Sequence, residues 1–135
     1  QLILQNHDGL HRIMLDHRQI DQVIFGSHTF VKLQQGIKPG FYEKLYDGTT
    51  KVFCKRTKNR TEDLSDRRVT VVYTPEDYFY LYTQGQYVSV KSKKSVLNAL
   101  SDKKKQLRKY ARQFNYKQER DVAIAKMAAY YDQIK

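Results

Sequence analysis

The spacing of apolar residues changes once along this chain, near Ser92, and that change limits what the chain can fold into. Upstream, apolar and polar residues alternate in short runs, the period of a strand with one covered face. Downstream, Leu97, Leu100, Leu107, Ala111 and Phe114 recur at helical spacing. The pattern predicts an α+β fold in which a curled antiparallel β-sheet, a hairpin meander of about seven to nine strands, is followed by a C-terminal helical hairpin. The sheet is expected to be strongly curled or partly barrel-like over residues 1–91, with the helical region 92–135 packed on one face or end of it. With 135 residues, the chain is expected to be one domain whose core needs neither metal nor disulfide.

Within the β region, residues 2–5, 10–15, 20–25 and 28–34 read as strands, and Gln35 to Gly40 as a loop enforced by two glycines and Pro39. Phe41–Tyr46 and Thr49–Lys55 flank Asp47-Gly48, a dipeptide suited to the two positive φ angles of a tight turn. A two-residue loop there sets Tyr42 opposite Phe53 and also Lys44 opposite Lys51, a repulsion that a one-residue bulge would relieve. Residues 56–68 are almost wholly polar and predict a long exposed hairpin tip or mobile loop. Strand Arg68–Tyr73 then leads to a turn at Thr74-Pro75-Glu76-Asp77. Next, Tyr78–Thr83 pairs with Gln86–Lys91 around Gln84-Gly85. That register puts Phe79, Leu81, Val88 and Val90 on one face and Tyr78, Tyr80, Tyr82 and Tyr87 on the other. The second face is expected to be covered by helices, because tyrosine tolerates a half-buried site.

A short helix is predicted near Val96–Leu100. A longer one follows, N-capped by Ser101 with Asp102 in its first turn and ending by Asn115. A last helix from about Gln118 buries Ile124, Met127, Ala128, Tyr131 and Ile134, and the short link implies an antiparallel pair.

The net charge of +11 is unevenly placed: residues 1–50 hold five Lys/Arg and five Asp/Glu, so the excess lies beyond them. Residues 91–112 carry nine Lys/Arg against the single Asp102. Lys103, Lys104, Lys105, Arg108, Lys109 and Arg112 are the candidate binding residues, a grip for phosphate or for an acidic surface. The plainer reading is a solvated face opposite the leucine stripe. Tyr78, Tyr80 and Tyr82 are the second candidate group, able to stack bases or sugars if left uncovered.

Little in the chain points to catalysis. His7, His11, His17 and His28, with Asp8, Asp16 and Asp21 among them, match no metal or acid–base spacing, so no metal and no cofactor are expected. Cys54, the single cysteine, excludes an internal disulfide and reads as a quiet buried thiol. Phosphate-binding glycine loops, nucleophile elbows and His-Glu zinc motifs are absent, and a non-enzyme is expected. Asn59-Arg60-Thr61 matches a glycosylation acceptor, a match too short to carry weight. No apolar run approaches the roughly 20 residues that span a bilayer. Because the chain begins at Gln1 without Met, a removed signal peptide or a missing upstream segment is expected.

The stretch Gly85-Gln86-Tyr87-Val88-Ser89-Val90-Lys91-Ser92-Lys93-Lys94-Ser95-Val96-Leu97, with Asp102-Lys103-Lys104-Lys105 and Ala128-Ala129-Tyr130-Tyr131-Asp132 after it, resembles a family of uncharacterised Bacteroidota cell-envelope proteins. Gly40-Phe41-Tyr42-Glu43, Leu45-Tyr46-Asp47-Gly48 and Arg56-Thr57-Lys58 extend the likeness over about residues 40–134. The resemblance implies an exported, periplasm-facing domain and carries no catalytic or binding residues. It turns the expected partner toward an acidic protein or anionic envelope component. The function expected is therefore a non-catalytic cell-envelope interaction or scaffolding domain. A nucleic-acid-binding module using the basic helix and the tyrosine-rich strand is the alternative.

Overall fold

The structure, a computed structural model, describes residues 2–5, 12–15, 22–64 and 68–135, the first two segments as backbone only. Strands β1 (Leu2–Gln5) and β2 (Arg12–Leu15) form an antiparallel pair with no ladder to the main sheet. The main sheet is a curled, half-barrel meander of six antiparallel strands: β3 (Gln22–Phe25), β4 (His28–Leu33), β5 (Gly40–Asp47), β6 (Lys51–Asp63), β7 (Thr70–Thr83) and β8 (Gln86–Val90). Three helices complete the α+β architecture: α1 (Lys93–Ala99), α2 (Lys104–Ala111) and α3 (Arg120–Ile134), with a 3-10 turn at Ser101–Lys103 between the first two.

The β7–β8 hairpin has the expected register, with Leu81 opposite Val88 and Tyr82 opposite Tyr87. Gln84 and Gly85 take φ of 52° and 76°, so both turn residues supply the positive angles of a type I′ hairpin. The Asp47-Gly48 turn does not form. β5 and β6 are joined by residues 48–50, and Gly48 does not have positive φ. The bulge is present: the register slips between Lys44 and Tyr46, leaving Leu45 as the extra residue. Lys44 therefore faces Phe53, displacing the expected Tyr42–Phe53 pair, and Asp47 faces Lys51. Asp47 takes both lysines, at 3.1 Å from Lys44 and 2.6 Å from Lys51, and their hydrogen bonds hold its carboxyl below the usual range. From α3, Asp132 accepts the Thr50 backbone N–H at 3.0 Å and the Tyr46 hydroxyl at 2.8 Å.

Residues 56–63 are strand where a tip or loop was expected, and 74–77 are strand where a turn was; the expected Arg68–Tyr73 strand is present as the start of β7, from Thr70. β6 and β7 pair continuously from Lys51–Tyr82 to Asp63–Thr70. β5 accompanies β6 only as far as Cys54, and β8 accompanies β7 only as far as Phe79, so the outer half is a two-stranded ribbon. Pro75, opposite Lys58, is compatible with strand there because β7 has lost one neighbour, and a missing N–H on an open edge breaks no ladder. The residues of this ribbon are exposed on both strands from Lys58 to Leu64 and from Arg68 to Pro75, as a polar hairpin extension should be.

The helices lie on the face that carries Val52, Cys54, Phe79, Leu81 and Val90, which forms one core with Val96, Leu97, Leu100, Leu107, Ala111, Ile124, Met127, Ala128 and Tyr131. α3 runs over β5 and β6, and α1 sits beside β8. The tyrosine face is thus the one the helices leave free, contrary to expectation. The smaller side chains on the Phe79 face admit α3 close to the strands, whereas a tyrosine face would hold it off. Burial on the tyrosine side comes from elsewhere. Tyr42 is fully buried and donates its hydroxyl to the Lys38 carbonyl at 2.6 Å, so the 34–39 connection folds back on this face.

Ser92 caps α1 through a reciprocal pair with Ser95, so α1 begins earlier than the periodicity predicts. Ser101 is not the cap of α2: it opens the 3-10 turn, and no side chain caps either that turn or α2. α2 ends at Ala111, short of Phe114, while α3 begins near the expected position and buries four of the five predicted residues, with Ile134 half-buried. α2 and α3 pack through Tyr110 and Tyr130, whose rings stack at 4.2 Å with 6° between planes.

Candidate functional site

The basic helix is positioned by its apolar side. Leu107 and Ala111 are buried in the core and Tyr110 is stacked on Tyr130, which fixes the rotation of α2 about its axis. At about 100° per residue, Arg108, Arg112, Lys105 and Lys109 then fall in one arc of roughly 100° pointing to solvent, and all four are exposed. Lys103 and Lys104 are half-buried at the start of the helix, where Lys104 donates to the Asn98 side chain at 3.2 Å. The six predicted cations therefore form one patch, four of them a free face and two its root.

The electrostatics of this patch depend on where the carboxylates went. Asp102, the nearest in sequence, accepts the Tyr131 hydroxyl at 2.9 Å through both oxygens, which fastens the 3-10 turn to α3. Burial, and then this bond, push the Tyr131 hydroxyl up to about 12. Elsewhere, Asp47 holds Lys44 and Lys51, and Glu62 holds Arg60. Among the described residues, no ion pair reaches Lys105, Arg108, Lys109 or Arg112.

The predicted tyrosines are not part of this patch. Tyr78, Tyr80 and Tyr82 alternate with Phe79 and Leu81, so they emerge from the sheet face opposite the helices. Tyr80 meets the Tyr42 ring edge-on at 5.7 Å, and Tyr82 meets Tyr87 at 4.7 Å. Tyr78 stands exposed where the ribbon leaves the sheet. The nine candidate residues thus divide into two groups on opposite sides of the molecule.

Two features went unread in the sequence. One is a charge network on the helix side of the ribbon base. Arg56 contacts Glu43 at 3.1 Å, Asp77 at 2.9 Å and Asp121 at 3.4 Å, and His28 Nδ1 lies 3.2 Å from Glu43. Burial opposes the Arg56 charge, but the Glu43 bond and the surrounding carboxylates outweigh it and raise its pKa. Beside this network opens a cleft of about 580 Å³ lined by Arg56, Asp77, Lys91, Lys117, Arg120 and Asp121 among others. The residues come from separate strands and α3, so only the fold brings them together. The second feature is a cleft on the tyrosine side, where the 34–39 connection meets the β7–β8 turn. Gly36 and Gly85, both at positive φ, were its one signal in the sequence.

Chemically, the arrangement suits binding. The Cys54 thiol is buried and pushed up to about 12, chiefly by that burial, so it is not a nucleophile near neutral pH. Among the described residues, no three of His, Cys, Asp and Glu are grouped to hold a metal ion. His7, His11 and His17, with Asp8, Asp16 and Asp21, lie outside the described residues. Among those described, no helix is long and apolar enough to cross a membrane. No known family model matches the chain, and neither a curated protein nor a solved structure matches it.

Proposed function

We propose that this chain is a non-catalytic interaction domain that holds an acidic partner against the exposed face of α2. The carrying observation is the arc of Lys105, Arg108, Lys109 and Arg112, which among the described residues has no carboxylate ion-pair partner, while Asp102 beside it is engaged by the Tyr131 hydroxyl. A patch of one sign on a helix locked by Leu107 and Ala111 is an electrostatic docking surface that needs no rearrangement to bind. The family resemblance of residues 40–134 supports a periplasm-facing setting at the cell envelope, with an acidic protein or anionic envelope component as the partner.

The nucleic-acid reading has less support. It asks one strand to place phosphates on α2 and bases on Tyr78, Tyr80 or Tyr82, which lie on the other side of the sheet. The deciding experiment is titration of poly-L-glutamate and of a single-stranded oligonucleotide in a salt series, with wild type and with all six basic residues changed to Glu. Binding of polyglutamate that weakens with salt and is lost in the sixfold variant is expected. Polyglutamate binding unchanged by the six reversals, in a variant with a native circular dichroism melt, would refute the proposal. Tight oligonucleotide binding sensitive to Tyr80→Ala would favour the alternative.

A further inference from the structure

From the cleft on the tyrosine side of the sheet, we infer that this chain has a second binding site, one for a saccharide. The cleft has a volume of about 740 Å³ and includes Lys32, Gln34, Gln35, Tyr82, Gln86 and Tyr87 in its lining. That volume lies within the range of about 300–1,000 Å³ usual for small-ligand sites. The helices do not reach this face, and among the described residues the 34–39 connection is what folds over it.

The two aromatic rings are the core of the site. Tyr82 and Tyr87 pair across β7 and β8 with centroids 4.7 Å apart and planes inclined at 53°, giving two ring faces of different direction. Tyr87 is supported from the side by Phe53 at 5.9 Å, and Phe53 is itself buried. On its other flank stands Gly36, where an added Cβ would come within 3.5 Å of the Tyr87 ring. The ring is held in place, so stacking on it costs little ordering.

The polar groups select the ligand. Gln34, Gln35 and Gln86 each offer a donor and an acceptor, the combination that matches hydroxyls, which also donate and accept. Among the described residues no carboxylate lines the cleft, and the one charged side chain there is Lys32. A cationic ligand would find no counter-charge, and a polyphosphate would find one lysine. A pyranose fits both requirements: its C–H face carries the partial positive charge that the negative face of an aromatic ring attracts, and its hydroxyl rim meets the amides. The Gln84-Gly85 turn keeps Gln86 at the mouth because both of its positive φ angles are fixed by the hairpin. Nothing in this site depends on α2, so the two proposals can fail separately.

The test is saturation-transfer difference NMR on the full chain with cellohexaose, chitohexaose and a hyaluronan hexasaccharide, and with a hexathymidylate control. Transfer to ring C–H protons of at least one saccharide is expected, with shifts in the side-chain amide signals of Gln34, Gln35 or Gln86 in the wild-type protein. Tyr87→Ala should weaken that saccharide by about tenfold, Tyr87→Phe should retain it, and the sixfold α2 reversal should leave it unchanged. Absence of transfer from all three saccharides overturns the inference. So does a saccharide that binds without moving the glutamine amides, or hexathymidylate binding in place of the saccharides with the same dependence on Tyr87.

Discussion

β6 and β7 are each two structures in one strand, and their inner and outer halves differ in what surrounds them. Inside, Val52, Cys54, Phe79 and Leu81 are enclosed between neighbouring strands and the helices. Outside, Thr57 to Asp63 and Thr70 to Glu76 pair with each other and, among the described residues, with no third strand. The hydrogen-bond ladder is the same in both halves, so pairing alone does not distinguish them. What differs is the side chains: the inner half buries Val52, Phe53 and Cys54 on β6 and Phe79 and Leu81 on β7, whereas the β6 side of the outer half has no apolar residue. A ladder can extend beyond a core, but it draws its stability from the part that has one.

Three substitutions measure that difference. Leu81→Ala, at a fully buried position, should cost about 2–5 kcal/mol by urea unfolding. A loss under about 1 kcal/mol would mean that the inner half is not where the sheet is held. Arg56→Met cuts the link between the halves and leaves Glu43, only 7% exposed, without its guanidinium. Destabilisation of roughly 1–3 kcal/mol is expected, with faster amide exchange in the ribbon than in β5. Equal acceleration throughout the sheet would show that Arg56 serves the whole core. Val72→Thr on the exposed ribbon should change stability by less than about 0.5 kcal/mol. A larger loss would show that the ribbon is covered in solution.

The parts legible in the sequence are those set by local chemistry. The Gln84-Gly85 hairpin was readable because two residues that accept positive φ dictate its register. The outward basic face of α2 was readable because Leu107 and Ala111 determine which side is buried. Asp47-Gly48 misled because Asp132, 82 residues beyond Thr50, captures that loop, and a distant carboxylate leaves no local mark. The strand through Pro75 was hidden for a related reason, since proline forbids a central strand and only the topology makes this stretch an edge. Alternation marked two faces of the sheet but not which one the helices would choose. The Arg56 network joins side chains from β4, β5, β6, β7 and α3, and no spacing rule connects them.

Pro75 and its partner Lys58 sit near the base of the ribbon, where among the described residues neither outer edge is paired. An open strand edge is a template on which another chain can polymerise, and a long one with Val71, Val72 and Tyr73 exposed invites it. Proline removes one rung of that template, and a lysine facing it makes a docking strand bury a charge. The pair thus sits where a gatekeeper against edge-to-edge association would be placed.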